Sequence, residues 1–206
     1  LELQMLQYQL NPHFLFNTLN SLRFVAAMHK DQIVSDGIQA LSSLLQNTLT
    51  NKNEYITIQE VLENLENYFA ILRIRYAGSF EYSFHMEDEE LLSCLVPKLI
   101  LQPLVENSIK HGLSKESKGG RIFIRTWMRG ERLWISVSDT GVGMEEERLQ
   151  QIRAALNDGT ENEIGIGVGN IYRRVHGLYE DGEMFIYSKK GCGTAVQLAF
   201  TPKDIV

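Results

Sequence analysis

Cysteine is scarce in this chain: Cys94 and Cys192 stand in different kinds of segment and match no metal-ligand spacing. A disulfide framework and a thiolate metal site are therefore excluded, and the two read as a small core residue and a turn neighbour in a reducing compartment. A basic footprint is also missing. A formal net charge of −6 excludes a bare nucleic-acid binder, whose affinity rests on neutralising phosphates. No run approaches the roughly 20 apolar residues of a membrane helix, and no signal-peptide layout is present. As given, the chain is expected to be soluble. It has no internal repeat and no low-complexity tract. It opens at Leu1, without Met and already in a helical pattern, and so is expected to be a piece of a longer protein.

Charge is also sparse at one end. Residues 1–56 hold only Glu2, Arg23, Lys30, Asp31, Asp36, Lys52 and Glu54 as charged side chains. There, Leu3, Leu6 and Leu10 recur at three and four residues, and the same step continues to His13, Asn17 and Asn20, all on one helix face. A second helix is predicted over roughly 32–50 through Ile33, Ile38, Leu41, Leu44, Leu45 and Leu49, with Asp31 as its N-cap. Two such helices cannot enclose a core alone, so the hairpin is expected to pair with a second copy as a four-helix bundle, making a homodimer. Thr57-Ile58-Gln59-Glu60 has capping-box spacing and opens a helix that bridges into a second domain. The divisions expected are residues 1–55 and 56–206.

Beyond the bridge, a strand is predicted over 80–85, a helix over about 89–111, strands over 121–128 and 133–139, a helix over 169–179, and strands over 184–189 and 194–201. That order predicts an α+β sandwich, one sheet with helices on a single face.

Several strings carry chemistry. In Asn11-Pro12-His13-Phe14-Leu15-Phe16-Asn17, the neutral imidazole, with a reference pKa of about 6.5, is nucleophilic at physiological pH. Pro12 removes a backbone hydrogen bond and tends to bend a helix, while Asn17, four residues on, neighbours His13. Alone, the pair reads equally well as a polar layer fixing the register of a bundle. In Glu106-Asn107-Ser108-Ile109-Lys110-His111, helical spacing lets Asn107 and Lys110 or His111 face one pocket. Asp139-Thr140-Gly141-Val142-Gly143 follows an apolar strand. A carboxylate at that strand end can accept from the exocyclic amine of adenine, and Gly141 and Gly143 permit positive φ and close approach to a ligand. Gly165, Gly167 and Gly169 lead into Asn170 at a helix start, where backbone N–H groups make an anion site. Gly193-Thr194 precedes the last strand. Singly, each of these also fits an ordinary turn or a solvated helix face.

Taken in order, they resemble the LytS/YesM-type sensor histidine kinases: the N-terminal string is similar to their phosphoacceptor segment. The later motifs resemble the ATP-binding fold shared with gyrase B, Hsp90 and MutL. The resemblance implies that His13 accepts the γ-phosphoryl of ATP and that Asn17 orients water or metal during dephosphorylation. It places Asn107 on Mg²⁺, Lys110 and His111 near the phosphates, and Thr194 in support of the adenine-reading Asp139. It also implies that the glycines at 165, 167 and 169, with Asn170, hold the triphosphate, and that residues 145–163 form a short lid. Larger histidine kinase families carry an acidic residue after the acceptor histidine. Here Phe14 follows, leaving Glu106 or solvent as the base. A membrane-anchored parent with this piece in the cytoplasm, and a response regulator receiver domain as partner, are further implications. The competing readings are an ATPase of the same fold and a pseudokinase scaffold, in both of which the helical arm only dimerises.

Overall fold

The computed structural model describes residues 12–49, 53–76, 80–112, 119–158 and 166–203. Within these, contacts separate two units. One holds the described residues up to Glu54 together with the helix from Glu60; the other holds Tyr55–Gln59 and the described residues from Phe80 onward. Among the described residues, no helix is long and apolar enough to cross a membrane.

The helical unit begins with α1 (Pro12–Met28) and α2 (Gln32–Leu49). Pro12 is the first described residue of α1. Lys30 turns the chain in the left-handed region at φ 57°, and Lys30 and Asp31 donate their N–H groups back to Ala27 and Ala26, closing the last turn of α1. Asp31 then caps α2 as its sequence predicts, its Oδ1 accepting from Val34 N at 3.1 Å. The third helix, α3 (Ile58–Arg75), starts directly after Thr57. Asn47 donates to Asn64 Oδ1, tying α2 to α3, and a Cβ on Gly37 would meet the Ile74 side chain.

The second unit is a five-stranded sheet in the order β2-β4-β5-β7-β6, with β2 (Phe80–Met86), β4 (Gly120–Arg129), β5 (Arg132–Asp139), β6 (Glu183–Lys189) and β7 (Gly193–Phe200). The β2–β4 pair is parallel and the rest are antiparallel. Alternation along the strands sends Ile122, Ile124, Leu133, Ile135, Val137, Val196 and Leu198 into the core. The helices over that face are α4 (Gln102–Asn107), α5 (Glu146–Asp158) and α6 (Ile166–Leu178), which bury Leu104, Val105, Leu149, Ile152, Ile171 and Val175. Burying so many aliphatic side chains, each worth about 1.5–3 kcal/mol, holds the two layers together. On the opposite face, Trp134 stacks between Trp127 and Phe185, with ring centroids 5.8 and 5.6 Å away.

Two expectations need correction here. The helix expected over 89–111 is broken into a 3₁₀ turn (Glu89–Ser93), β3 (Leu95–Pro97), α4, and a π-helical turn (Ser108–Gly112). Prolines explain it: Pro97 ends a strand that pairs with β1 (Tyr55–Thr57), Leu99 takes φ 63°, and Pro103 is tolerated only in a helix's first turn. The described part of the expected lid is likewise no cover. Helix α5 is docked, with Leu149, Ile152, Ala155 and Leu156 buried and the Arg153 guanidinium donating twice to the Ile186 carbonyl at 2.8 and 3.1 Å. Residues 159–163 of that expectation lie outside the described residues.

Candidate functional site

At one end of the inner sheet face, three polar residues stand side by side across three strands. Asp139 ends β5 opposite Thr194 of β7, and Thr194 stands opposite Ser188 of β6. Paired residues point to the same side of a sheet, so the three side chains form one row. Asp139 is only 7% exposed. Its Oδ1 accepts from Gly141 N at 2.9 Å and from Thr194 N at 3.3 Å. Burial pushes its carboxyl above the ordinary range, against the opposing pull of hydrogen bonds from Gly141, Ser108 and Thr194.

Ser188 is the hub on the far side of the row. Its Oγ accepts from Met144 N at 2.9 Å, donates to the Gly193 carbonyl at 2.9 Å, and lies 2.9 Å from Thr194 Oγ1. The loop after β5 is thus sewn to the β6–β7 turn, a seam that Gly191 N extends by donating to the Val142 carbonyl at 2.7 Å. Gly143 is required by this seam. At φ 64°, a Cβ there would sit 2.0 Å from the Lys189 carbonyl oxygen, so its role is backbone packing where ligand approach was expected. Gly193 answers to the same constraint: at φ 93°, a Cβ would lie 1.9 Å from the Asp139 carbonyl oxygen.

Above the row sits the Asn107 segment. Leu104 and Val105 anchor α4 in the core, and the π-helical turn that follows lies against β5, β7 and the last helix's neighbour α4. Asn107 is half-buried, and among the described residues its buried amide nitrogen has no partner. Ser108, the next residue, is buried and hydrogen-bonds Asp139. One turn of chain therefore places a carboxamide with an unpartnered nitrogen next to an anchor for the buried carboxylate. π-turns recur at functional sites because the widened turn redirects side chains.

Other predicted residues are placed as follows. Glu106 is exposed and accepts from Gln102 Nε2 at 3.0 Å, and Lys110 is exposed. Residue 111 lies in the π-turn, which departs from the α-helical spacing that was to align Lys110 and His111 with Asn107. Helix α6 starts at Ile166, three residues before the expected start, so Gly167 and Gly169 lie inside its first turns, with Gly169 buried and α6 packed on α4. Asn170 is exposed and its Oδ1 accepts from the Arg173 guanidinium. Gly165 lies outside the described residues. His13 and Asn17 belong to α1 of the helical unit, where Asn17 is exposed and its carbonyl accepts from Ser21 Oγ at 2.9 Å.

Sequence reading missed Ser108 and Ser188. Ser108 sits within the string around Asn107 and could have been found as the hydroxyl one residue beyond the amide. Ser188 becomes visible only once β6 and β7 are in register.

Comparison with known proteins decides the family. Residues 96–204 match the family model described as histidine kinase-, DNA gyrase B-, and HSP90-like ATPase, and residues 1–80 match the model described as histidine kinase. The chain belongs to the histidine kinases of this ATPase family. Such a domain binds ATP, in keeping with the buried carboxylate at the end of β5. Sensor histidine kinase YesM of Bacillus subtilis is 33% identical over all of this chain and 34% of its own length. Sensor protein kinase HptS of Staphylococcus aureus is 31% identical over 95% of this chain and 37% of its own. The chain therefore spans about a third of the length of these relatives. Its fold is also similar to the histidine kinase domain of the Erythrobacter litoralis EL346 blue-light activated kinase, with a TM-score of 0.52 at 22% identity over 97% of this chain and 92% of that one. The catalytic domain of histidine kinase ThkA aligns with a TM-score of 0.54 at 16% identity over 72% of this chain and 97% of that one.

Proposed function

We propose that this core transfers the γ-phosphoryl of ATP to His13 and then passes it to an aspartate on the receiver domain of a response regulator. The observation that carries the reading is the buried Asp139, held by Gly141, Thr194 and Ser108, with Asn107, whose buried amide nitrogen is unpartnered among the described residues, next to Ser108 in the chain. A fixed carboxylate that accepts from an exocyclic amine suits adenine, whereas guanine offers a carbonyl at that place. In the transfer, a neutral imidazole nitrogen of His13 attacks the γ-phosphorus. The bond to the ADP oxygen breaks, the nitrogen–phosphorus bond forms, and the ring's remaining proton passes to Glu106 or to solvent. Asn17, one turn from His13 on α1, orients water or metal when the phosphohistidine is later hydrolysed to histidine and inorganic phosphate.

The residues present fit Mg²⁺. The ion takes oxygen ligands and retains waters and phosphate oxygens, so a single protein donor suffices. Rotating the Asn107 carboxamide about its last bond presents oxygen where the unpartnered nitrogen stands. Bound there, the ion would neutralise charge on the phosphates, with Lys110 and His111 as the further cationic side chains and the glycines at 165, 167 and 169, with Asn170, at the phosphate end.

The hairpin is the dimerisation and acceptor part, residues 1–55, joined through α3 to the nucleotide-binding part that completes residues 56–206. Support for a homodimer is the apolar surface left open on α1, where Phe14, Leu22, Phe24, Val25 and Met28 are all exposed. The parent protein is membrane-anchored through upstream segments, with this core in the cytoplasm. Incubation with γ-labelled ATP and Mg²⁺ separates the readings. Label retained on the chain is the expected result. Label released only as inorganic phosphate would favour an ATPase with a dimerising arm, and nucleotide bound with neither outcome would favour a scaffold.

A further inference from the structure

Counting donors and lone pairs gives the one assignment in which all three contacts of Ser188 are hydrogen bonds at once. Ser188 Oγ has three neighbours at 2.9 Å: the Met144 N–H, the Gly193 carbonyl and Thr194 Oγ1. A serine hydroxyl has one proton and two lone pairs. The carbonyl of Gly193 can only accept, so the Ser188 proton goes there. The amide of Met144 can only donate and takes one lone pair. The remaining contact closes only if Thr194 donates its proton to the second lone pair of Ser188. Thr194 Oγ1 is left with nothing but lone pairs for whatever lies in front of it, and it has no further partner among the described residues.

We propose that Ser188 is a specificity-determining residue for the purine base, acting through Thr194. With its proton committed to Ser188, the Thr194 hydroxyl is an acceptor, and it stands beside the Asp139 carboxylate, also an acceptor, in one cross-strand row. Two adjacent acceptors select a base edge rich in donors. The amino group of a 6-aminopurine has two N–H bonds and meets that demand directly or through one water. The carbonyl of a 6-oxopurine brings a third set of lone pairs to the same place and leaves it unpaired. Removing the Ser188 hydroxyl would free the Thr194 proton to swing outward and donate to such a carbonyl. Discrimination would then weaken even if ATP binding weakened as well. Ser188 is thus a positioning residue: it touches the base only through its neighbour.

This inference rests on the nucleotide-binding reading above, and its test separates the two. Dissociation constants of ATP and inosine triphosphate, with Mg²⁺, are measured by calorimetry for the wild type and for Ser188→Ala, Ser188→Thr, Thr194→Val and the double variant Ser188→Ala/Thr194→Val. The expected result is a preference for ATP that shrinks about fivefold in Ser188→Ala, the worth of one neutral hydrogen bond. Ser188→Thr, which keeps the hydroxyl, restores the preference. In the Thr194→Val background, Ser188→Ala has no further effect on the ratio, because the proton it controls is gone. Equal loss of both nucleotides in Ser188→Ala would overturn the proposal and leave Ser188 as a tether for the Met144 loop. A wild type that binds neither nucleotide would overturn the nucleotide reading, and the proposal with it.

Discussion

On the proposed reading, Asp139 sets the working range of the site. Its carboxyl is raised by burial, so the folded chain holds that proton more tightly than the unfolded chain does. The sign follows from linkage: its contribution to stability is greatest at low pH and is lost as pH rises through the folded value. The proposed base recognition needs the opposite, charged form. ATP affinity is therefore predicted to decline on acidification from a point above the ordinary carboxylate range, in a titration by calorimetry at stepped pH. In Asp139→Asn the decline should vanish, with affinity lowered about 10- to 100-fold at neutral pH, as befits loss of a charged acceptor. The melting temperature of the nucleotide-free variant should not fall, since a desolvated charge has been removed. Gly143 makes a prediction of a different kind. Gly143→Ala puts a Cβ 2.0 Å from the Lys189 carbonyl at φ 64°, and should destabilise by about 2 kcal/mol or more. Urea unfolding followed by the fluorescence of Trp127 and Trp134 measures it, because the two indoles stack on the outer face of the sheet.

Single elements show what was legible and what was not. The five strands of the sheet fall within a residue of their predicted bounds, because alternation along β2, β4, β5, β6 and β7 is a period-2 signal that a half-buried sheet imposes. The Asp31 cap was legible for a similar local reason. The segment around Asn107 was not. Its apolar run from Leu95 to Leu104 has the density of a buried helix, but Pro97 and the pairing of β3 with β1 are decided by a partner strand near residue 56, which no local window contains. The three-residue strands β1 and β3 were missed for the same reason. The turn between α1 and α2 offers a test at this scale. Lys30 pays for a left-handed conformation at φ 57° that glycine adopts freely. Lys30→Gly is predicted to stabilise the hairpin by roughly 0.5–1 kcal/mol, seen as a higher thermal midpoint by circular dichroism. A lower midpoint would mean that the lysine side chain contributes more than its backbone costs.

At the scale of the whole molecule, contacts divide the described residues into two units. The sandwich was readable from the order of its motifs, and two members of its buried polar row, Asp139 and Thr194, from the strings that hold them. The Ser188 hydroxyl beside them depends on strand register and was not readable. The hairpin leaves Phe14, Phe24 and Met28 at 70%, 66% and 68% exposure, more apolar surface than a lone hairpin keeps in water without consequence. A dimer is predicted by light scattering after size exclusion, and Phe24→Glu with Val25→Glu should shift it to monomer without unfolding the sandwich. The central claim, transfer to His13, is tested most directly by locating the phosphoryl group. After incubation with ATP and Mg²⁺, the chain is digested at neutral pH and its peptides are fragmented by electron transfer, which preserves the nitrogen–phosphorus bond. The account predicts phosphate on the peptide that carries His13, at that imidazole, and none in His13→Gln. Phosphate on another residue, or undiminished phosphate in His13→Gln, would contradict it.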